Sequence, residues 1–250
     1  MKIRVKKVNK MENEIKKQDN AECLICKARL VYLEEAEQME CVLCHKVEVS
    51  NCRCENGHYV CSECHMDGMD AFIAICMAST SKNPIEIMHT LMKQPFCYMH
   101  GPEHHVFVGA SLLTAYKNAG GDIDLQKCLL EMQSRGRQVP GGICGLWGSC
   151  GAAVSTGIFM SIITGSSPLS EETWGWCNEM TSRVLAREAK IGGPRCCKRN
   201  SRIAILEAIQ FVKEKFGIEM EQPEKIACGW FNQNNQCIQE RCPFHPVNVK

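Results

Sequence analysis

A chain of 250 residues, 45% hydrophobic and 23% charged, carries enough apolar material for one sizeable core and enough charge to stay dissolved. Its 29 Lys and Arg are balanced by 28 Asp and Glu, so net charge gives no reason to expect nucleic acid or a membrane surface as partner. What stands out is sulfur, with 19 Cys and 13 Met.

The chain opens on "MKIRVKKVNKMENEIKKQDN", rich in Lys and poor in apolar residues. Residues 1–21 read as a flexible basic tail that solubilises the chain or touches an acidic partner. No apolar h-region follows, and the longest apolar run, near Ala152–Thr164, is too short and too broken by Ser, Thr and Gly to span a bilayer. The expected location is therefore the cytoplasm. Thiols stay reduced there, so many cysteines point to metal ligation or thiol chemistry rather than to disulfides. A sulfur-rich composition also suits an anaerobic host.

Residues 22–66 are predicted to form a small knuckle module, with "RLVYLEE" and "VEVS" as short strands between Cys-x-x-Cys turns. The donors fall in pairs: Cys23 and Cys26, Cys41 and Cys44, Cys54 and His58, Cys61 and Cys64. Zinc takes four nitrogen or sulfur ligands in a tetrahedron and one knuckle presents two, so these pairs can make two sites. The metal's binding energy then becomes folding energy for a short segment. Three pairings are open: a cross-brace joining the first pair with the third and the second with the fourth, a sequential ribbon joining neighbours, or a single site of Cys41, Cys44, Cys61 and Cys64. "CENGHYVC" resembles the matching part of RING fingers, but the spacing of the pairs departs from the RING pattern and a ligase role does not follow. Cys52 and His65 are spare donors nearby.

From 67 to 220 the periodicity is helical. "MDAFIAICMAST" is a compact apolar helix, and "NPIEIMHTLMK" has Asn83 as N-cap with Pro84 at its first position. "CYMHGPEHHVFV" gathers Cys97, His100, Glu103, His104 and His105 at the next helix start. The four-residue spacing places His100 and His104 on one side if the turn is helical. These histidines read as metal ligands or as an acid–base pair with His104 in a catalytic role, against ordinary capping polarity. That helix is predicted to end on Gly120–Gly121, and "DLQKCLLEMQSRG" follows.

The stretch "GGICGLWGSCGAAVSTGIFMSIITG" sets Cys144 and Cys150 among glycines ahead of a helix over 152–164. Cys150 near that helix start is expected to have a lowered thiol pKa. A helix beginning on Ser170 with acids in its first turn follows, then "GGPRCCKRNS". There Arg195, Lys198 and Arg199 surround Cys196 and Cys197 and favour thiolates or an anionic cluster, before a last helix capped by Asn200 or Ser201. Cys144, Cys150, Cys196 and Cys197 are read as ligands of an iron–sulfur cluster, with Cys150 and Cys197 as candidate catalytic thiols. A metal-free redox or sulfur-relay pair and close helix packing are the other readings.

Residues 221–250 return to cysteine as Cys228-x8-Cys237-x4-Cys242-x2-His245. This resembles a CCCH zinc finger with the last two gaps one residue short, and reads as a third structural metal or an extra cluster. No radical-SAM cysteine run, P-loop, His-Glu-x-x-His helix or complete Ser-His-Asp set is present. The fold class expected from the whole is mainly α, a helical domain with a small zinc-stapled N-terminal module and a cysteine-bearing tail.

With "NGHYVC", "HGPEHH", "GGICGLWGSCGAA" and "GGPRCCKR" in place, the chain resembles an uncharacterised cysteine-rich family of anaerobic archaea and bacteria from about Cys41 to Gly217. The family is often found beside radical-SAM domains, which implies a radical-SAM or other redox partner. Two functions follow. One is a metal-binding protein with an iron–sulfur cluster and structural zinc, acting in electron or sulfur transfer. The other is a zinc-stapled adaptor without catalysis.

Overall fold

The computed structural model describes residues 23–26, 28–66 and 68–249, and the expected tail over 1–21 lies outside them. The described chain is mainly helical, with one two-stranded sheet. Strands β1 (Leu30–Glu40) and β2 (Val47–Cys54) pair antiparallel, and the register slips between Tyr32 and Glu37. Such a hairpin is too small to hold itself together by burial alone. Its cysteine turns lie at its two ends, where they staple strand ends to the segment after β2.

A one-turn helix α1 (Ser62–His65) closes the module. Six longer helices follow: α2 (Ala71–Ala78), α3 (Pro84–Met92), α4 (Glu103–Asn118), α5 (Leu125–Arg137), and, after the single turn α6 (Ile143–Leu146), α7 (Gly151–Thr164) and α8 (Glu172–Ile191). The last, α9 (Cys197–Phe216), leads into a tail of short turns over 217–249. Asn83 caps α3 as its sequence predicts, accepting the Ile85 and Glu86 N–H groups at 3.0 and 3.4 Å.

Two starts differ from the sequence reading. Ser170 turns back onto Ser167 instead of capping α8, which begins at Glu172. Neither Asn200 nor Ser201 caps α9. That helix starts at Cys197 because the Cys196 sulfur takes the Arg199 N–H at 3.4 Å.

The organising element is α4. Every residue from Glu103 to Tyr116 is buried, polar ones included, because α3, α5, α7 and α9 surround it. Phe72, Phe107, Phe159, Phe211 and the methionines of α3 fill the core around it. No helix is long and apolar enough to cross a membrane among the described residues. The start of α4 therefore lies deep in the molecule, and the loops before α6, α7 and α9 converge on it.

Candidate metal centres and the cavity between them

The knuckle pairs gather in the crossed order. Cys23, Cys26, Cys54 and His58 form one group and Cys41, Cys44, Cys61 and Cys64 another, with the ligand atoms of each within 4.8 Å of one another. The sulfurs of Cys26 and Cys54 are 3.8 Å apart, those of Cys44 and Cys61 3.7 Å, and His58 Nδ1 lies 3.2 Å from the Cys26 sulfur. Backbone N–H groups aim at the sulfurs: Ile25 at Cys23, His58 at Cys54, Cys61 at Cys41 and Cys64 at Cys61. The N–H groups of Ala28 and of Cys61, Cys44 and Leu43 draw Cys26 and Cys41 to about 6, the latter against burial. Burial pushes Cys54, Cys61 and Cys64 up. Thiols crowded this closely resist sharing several negative charges, and a divalent ion removes that conflict. Both groups could hold a metal ion such as zinc.

Neither spare donor joins them. Cys52 faces the central cavity, and His65 Nδ1 lies 3.5 Å from Glu103 Oε2.

A third group, Cys97, Glu103 and His104, sits at the start of α4. His104 Nε2 is 3.8 Å from the Cys97 sulfur, His104 Nδ1 is 3.2 Å from Glu103 Oε1, and Lys198 Nζ donates to Cys97 at 3.2 Å. Glu103 also accepts the Tyr98 N–H at 2.9 Å. The result is a largely buried row of donors and acceptors, Lys198, Cys97, His104 and Glu103. Burial acts against each charge, yet the Cys97 and Glu103 neighbours hold His104 up at about 9. His104 and Lys198 draw the Cys97 thiol down, and His104 and His65 keep Glu103 well below the usual carboxylate range.

The three histidines do not share a ligand position. His100 precedes α4, so helical spacing does not apply to it, and it pairs with Asn234 Oδ1 at 3.2 Å. His105 turns to the Val139 carbonyl at 2.9 Å. Burial drops them to about 3 and about 4, leaving two neutral imidazoles.

These groups front a cavity of about 370 Å³ bounded by the hairpin, the start of α4, the Gly-Cys segment, the start of α9 and the tail. Cys144, Cys150, Cys196 and Cys197 all face it, but no three of their sulfurs come within 4.8 Å, so they do not form a single-ion site. One glycine acts by close approach: a Cβ on Gly151 would lie 2.2 Å from the His105 ring, whereas Gly142 and Gly148 serve turns at positive φ. The lowered thiol expected at Cys150 is not found. Burial and the Glu188 carboxylate push it up, outweighing the start of α7. Burial likewise raises Cys197 to about 12 despite Arg195, and raises Cys196. Arg195 stacks on the Tyr32 ring, 5.5 Å to its centroid, and supplies positive charge beside Cys144 and Cys197.

In the tail, Cys228, Cys237, Cys242 and His245 line a second, smaller cavity with Cys196, and again no three donors fall within 4.8 Å. The CCCH set read from the sequence is not drawn together as one mononuclear site.

Residues 72–245, well over half of the chain, match DUF5714, described as a family of unknown function. The chain belongs to that family. No curated protein and no solved structure matches it.

The DUF5714 stretch takes in the start of α4, both cysteine-bearing loops and the tail through His245, while both crossed knuckle groups lie before it. What the sequence reading missed is the pairing of Cys97 with His104 and Lys198. Its local signal was "CYMHGPEHH", a thiol seven residues before an imidazole, but the lysine comes from α9, 101 positions away.

Proposed function

We propose that this protein is a zinc-stapled iron–sulfur protein acting in electron or sulfur transfer at the central cavity. The observation that carries the reading is the convergence on one cavity of about 370 Å³ of the Cys144, Cys150 and Cys197 thiols, the Arg195 cation and the neutral His100 and His105 imidazoles. Thiols supply ligands or sulfur carriers, a half-buried guanidinium favours an anionic cluster or substrate, and imidazoles held neutral offer hydrogen bonds without adding charge. The two knuckle groups contribute zinc, which fixes the hairpin as one cavity wall. A radical-SAM partner as electron source rests on the sequence resemblance alone.

The test is iron, zinc and acid-labile sulfide per chain on protein purified without oxygen. About two zincs plus iron with matching sulfide is the expected result. Zinc alone sinks the reading and favours the adaptor, for which the exposed Leu43, Val47 and Val49 on the module offer an apolar docking face.

A further inference from the structure

We propose that Cys196, Cys228, Cys237 and Cys242 hold a [4Fe–4S] cluster between the start of α9 and the tail. This rests on the iron–sulfur reading above but assigns the cluster to a different ligand set from the four cysteines of the Gly-rich loops.

The sulfurs are posed as ligands. Cys196 accepts the Arg199 N–H, Cys228 the Trp230 N–H and Cys237 the Gln239 N–H, each at 3.4 Å, and Cys242 takes the Phe244 N–H. The two-residue turn of the three tail thiols also appears in the first knuckle group, where Ile25 donates to Cys23 at 3.4 Å. Asn234 Nδ2 adds a second donor to Cys196 at 3.5 Å. Hydrogen bonds of this kind stabilise thiolate and tune a cluster.

Their spacing separates a cluster from a single ion. The knuckle sulfurs close to 3.7 and 3.8 Å across their pairs. Around the tail cavity no three donors come within 4.8 Å of one another. A single zinc needs its four ligands drawn together at one point, whereas a cubane spreads them over four corners.

Two buried N–H donors face this cavity without an acceptor: Arg202 Nη2 and His245 Nε2. Arg202 is fully buried, an expensive place for an unpaired guanidinium donor. His245 Nδ1 accepts the Val247 N–H at 3.4 Å, which leaves the ring proton on Nε2. A nitrogen that keeps its proton cannot ligate, so His245 is a donor and drops out of the ligand set. Cluster sulfides are acceptors suited to both groups.

Charge points the same way. Arg199 and Arg202 are buried, and no carboxylate pairs with them: they donate to Asn200 Oδ1, the Gly192, Pro194 and Lys198 carbonyls and the His89 ring, and Arg202 Nη1 lies 3.9 Å from the Cys228 sulfur. A cubane carrying four thiolates is an anion that answers both cations. Trp230 and Phe244 close over Arg202, 5.3 and 5.7 Å from its guanidinium, and keep water out.

The experiment uses the full chain, purified without oxygen and supplied with ferrous iron and sulfide under reducing conditions. The expected wild type has about four irons and four sulfides, with an EPR signal on reduction. Cys228→Ser and Cys237→Ser should lose most of that iron and signal, while Cys144→Ser and Cys150→Ser keep it; retained zinc and helical circular dichroism show that each variant is folded. Alkylation of the wild type, read by mass spectrometry, gives the ligands without any variant. Cys196, Cys228, Cys237 and Cys242 should stay unlabelled until the iron is removed. Iron and sulfide that survive Cys228→Ser and Cys237→Ser, or labelling of these thiols in the iron-loaded chain, overturn this ligand set and leave the iron–sulfur reading standing. A wild type without iron and sulfide, or with a third zinc instead, overturns both.

Discussion

Glu103 has no exposed surface, and its charge persists because His104, His65 and the Tyr98 N–H surround it. Removing one member of a buried charged set leaves the others uncompensated, which costs more than the set is worth as a whole. Glu103→Gln is therefore expected to lower unfolding stability by about 3–5 kcal/mol, measured by urea denaturation. A loss below about 1 kcal/mol would mean that water reaches the start of α4. The buried imidazoles set the acid limit. His100 is held at about 3 and His105 and His89 at about 4, all below the ~6.5 of a free imidazole. The unfolded chain takes up protons that the folded chain refuses at these imidazoles, so their contribution to stability is full above ~6.5 and falls as pH drops through 6.5 toward 4. Melting curves between pH 7 and 4 should show that fall, and His105→Gln should flatten it.

At the level of elements, the helix starts show what could be read from sequence. Asn83 caps α3 in the ordinary way, with an amide oxygen over the first turn, and its letters announce it. Cys196 caps α9 with sulfur, an atom absent from the usual capping set, so the start falls three or four residues before the Asn200 and Ser201 that sequence rules favour. The knuckles were legible because each pair is local and only their crossing is tertiary. The companions of Cys196 were not, since Cys228, Cys237 and Cys242 reach it through the packing of the tail on α9. Gly151 shows the reverse case, a glycine whose need is visible only in three dimensions. Gly151→Ala drives a methyl into the His105 ring and is expected to cost about 1–3 kcal/mol, with the shift of α7 away from α4 reported by a change in Cys150 alkylation rate. An unchanged rate and stability would show that the ring has room to retreat.

For the molecule as a whole, the two parts draw stability from different sources. The helical body has a continuous apolar core around α4, whereas the hairpin exposes Val47 and Val49 and leans on its cysteine groups. Treatment with a metal chelator should therefore release the segment 23–65 to protease while most of the helical circular dichroism remains. Loss of both signals together would mean that the module is integral to the core. Mainly α architecture was plain from periodicity, because long amphipathic stretches report their own conformation. The cavity was not, because it is made where loops from distant parts of the chain meet and no short window contains it.

Cys196 fronts both cavities, and the next residue, Cys197, fronts the central one alone. A single peptide unit thus forms part of the partition between the two spaces. Any ligand that draws the Cys196 sulfur toward the tail also turns the first residue of α9, and with it a thiol on the opposite side. If filling one space moves Cys196, whatever factor that imposes on affinity in the other space must be returned in equal measure.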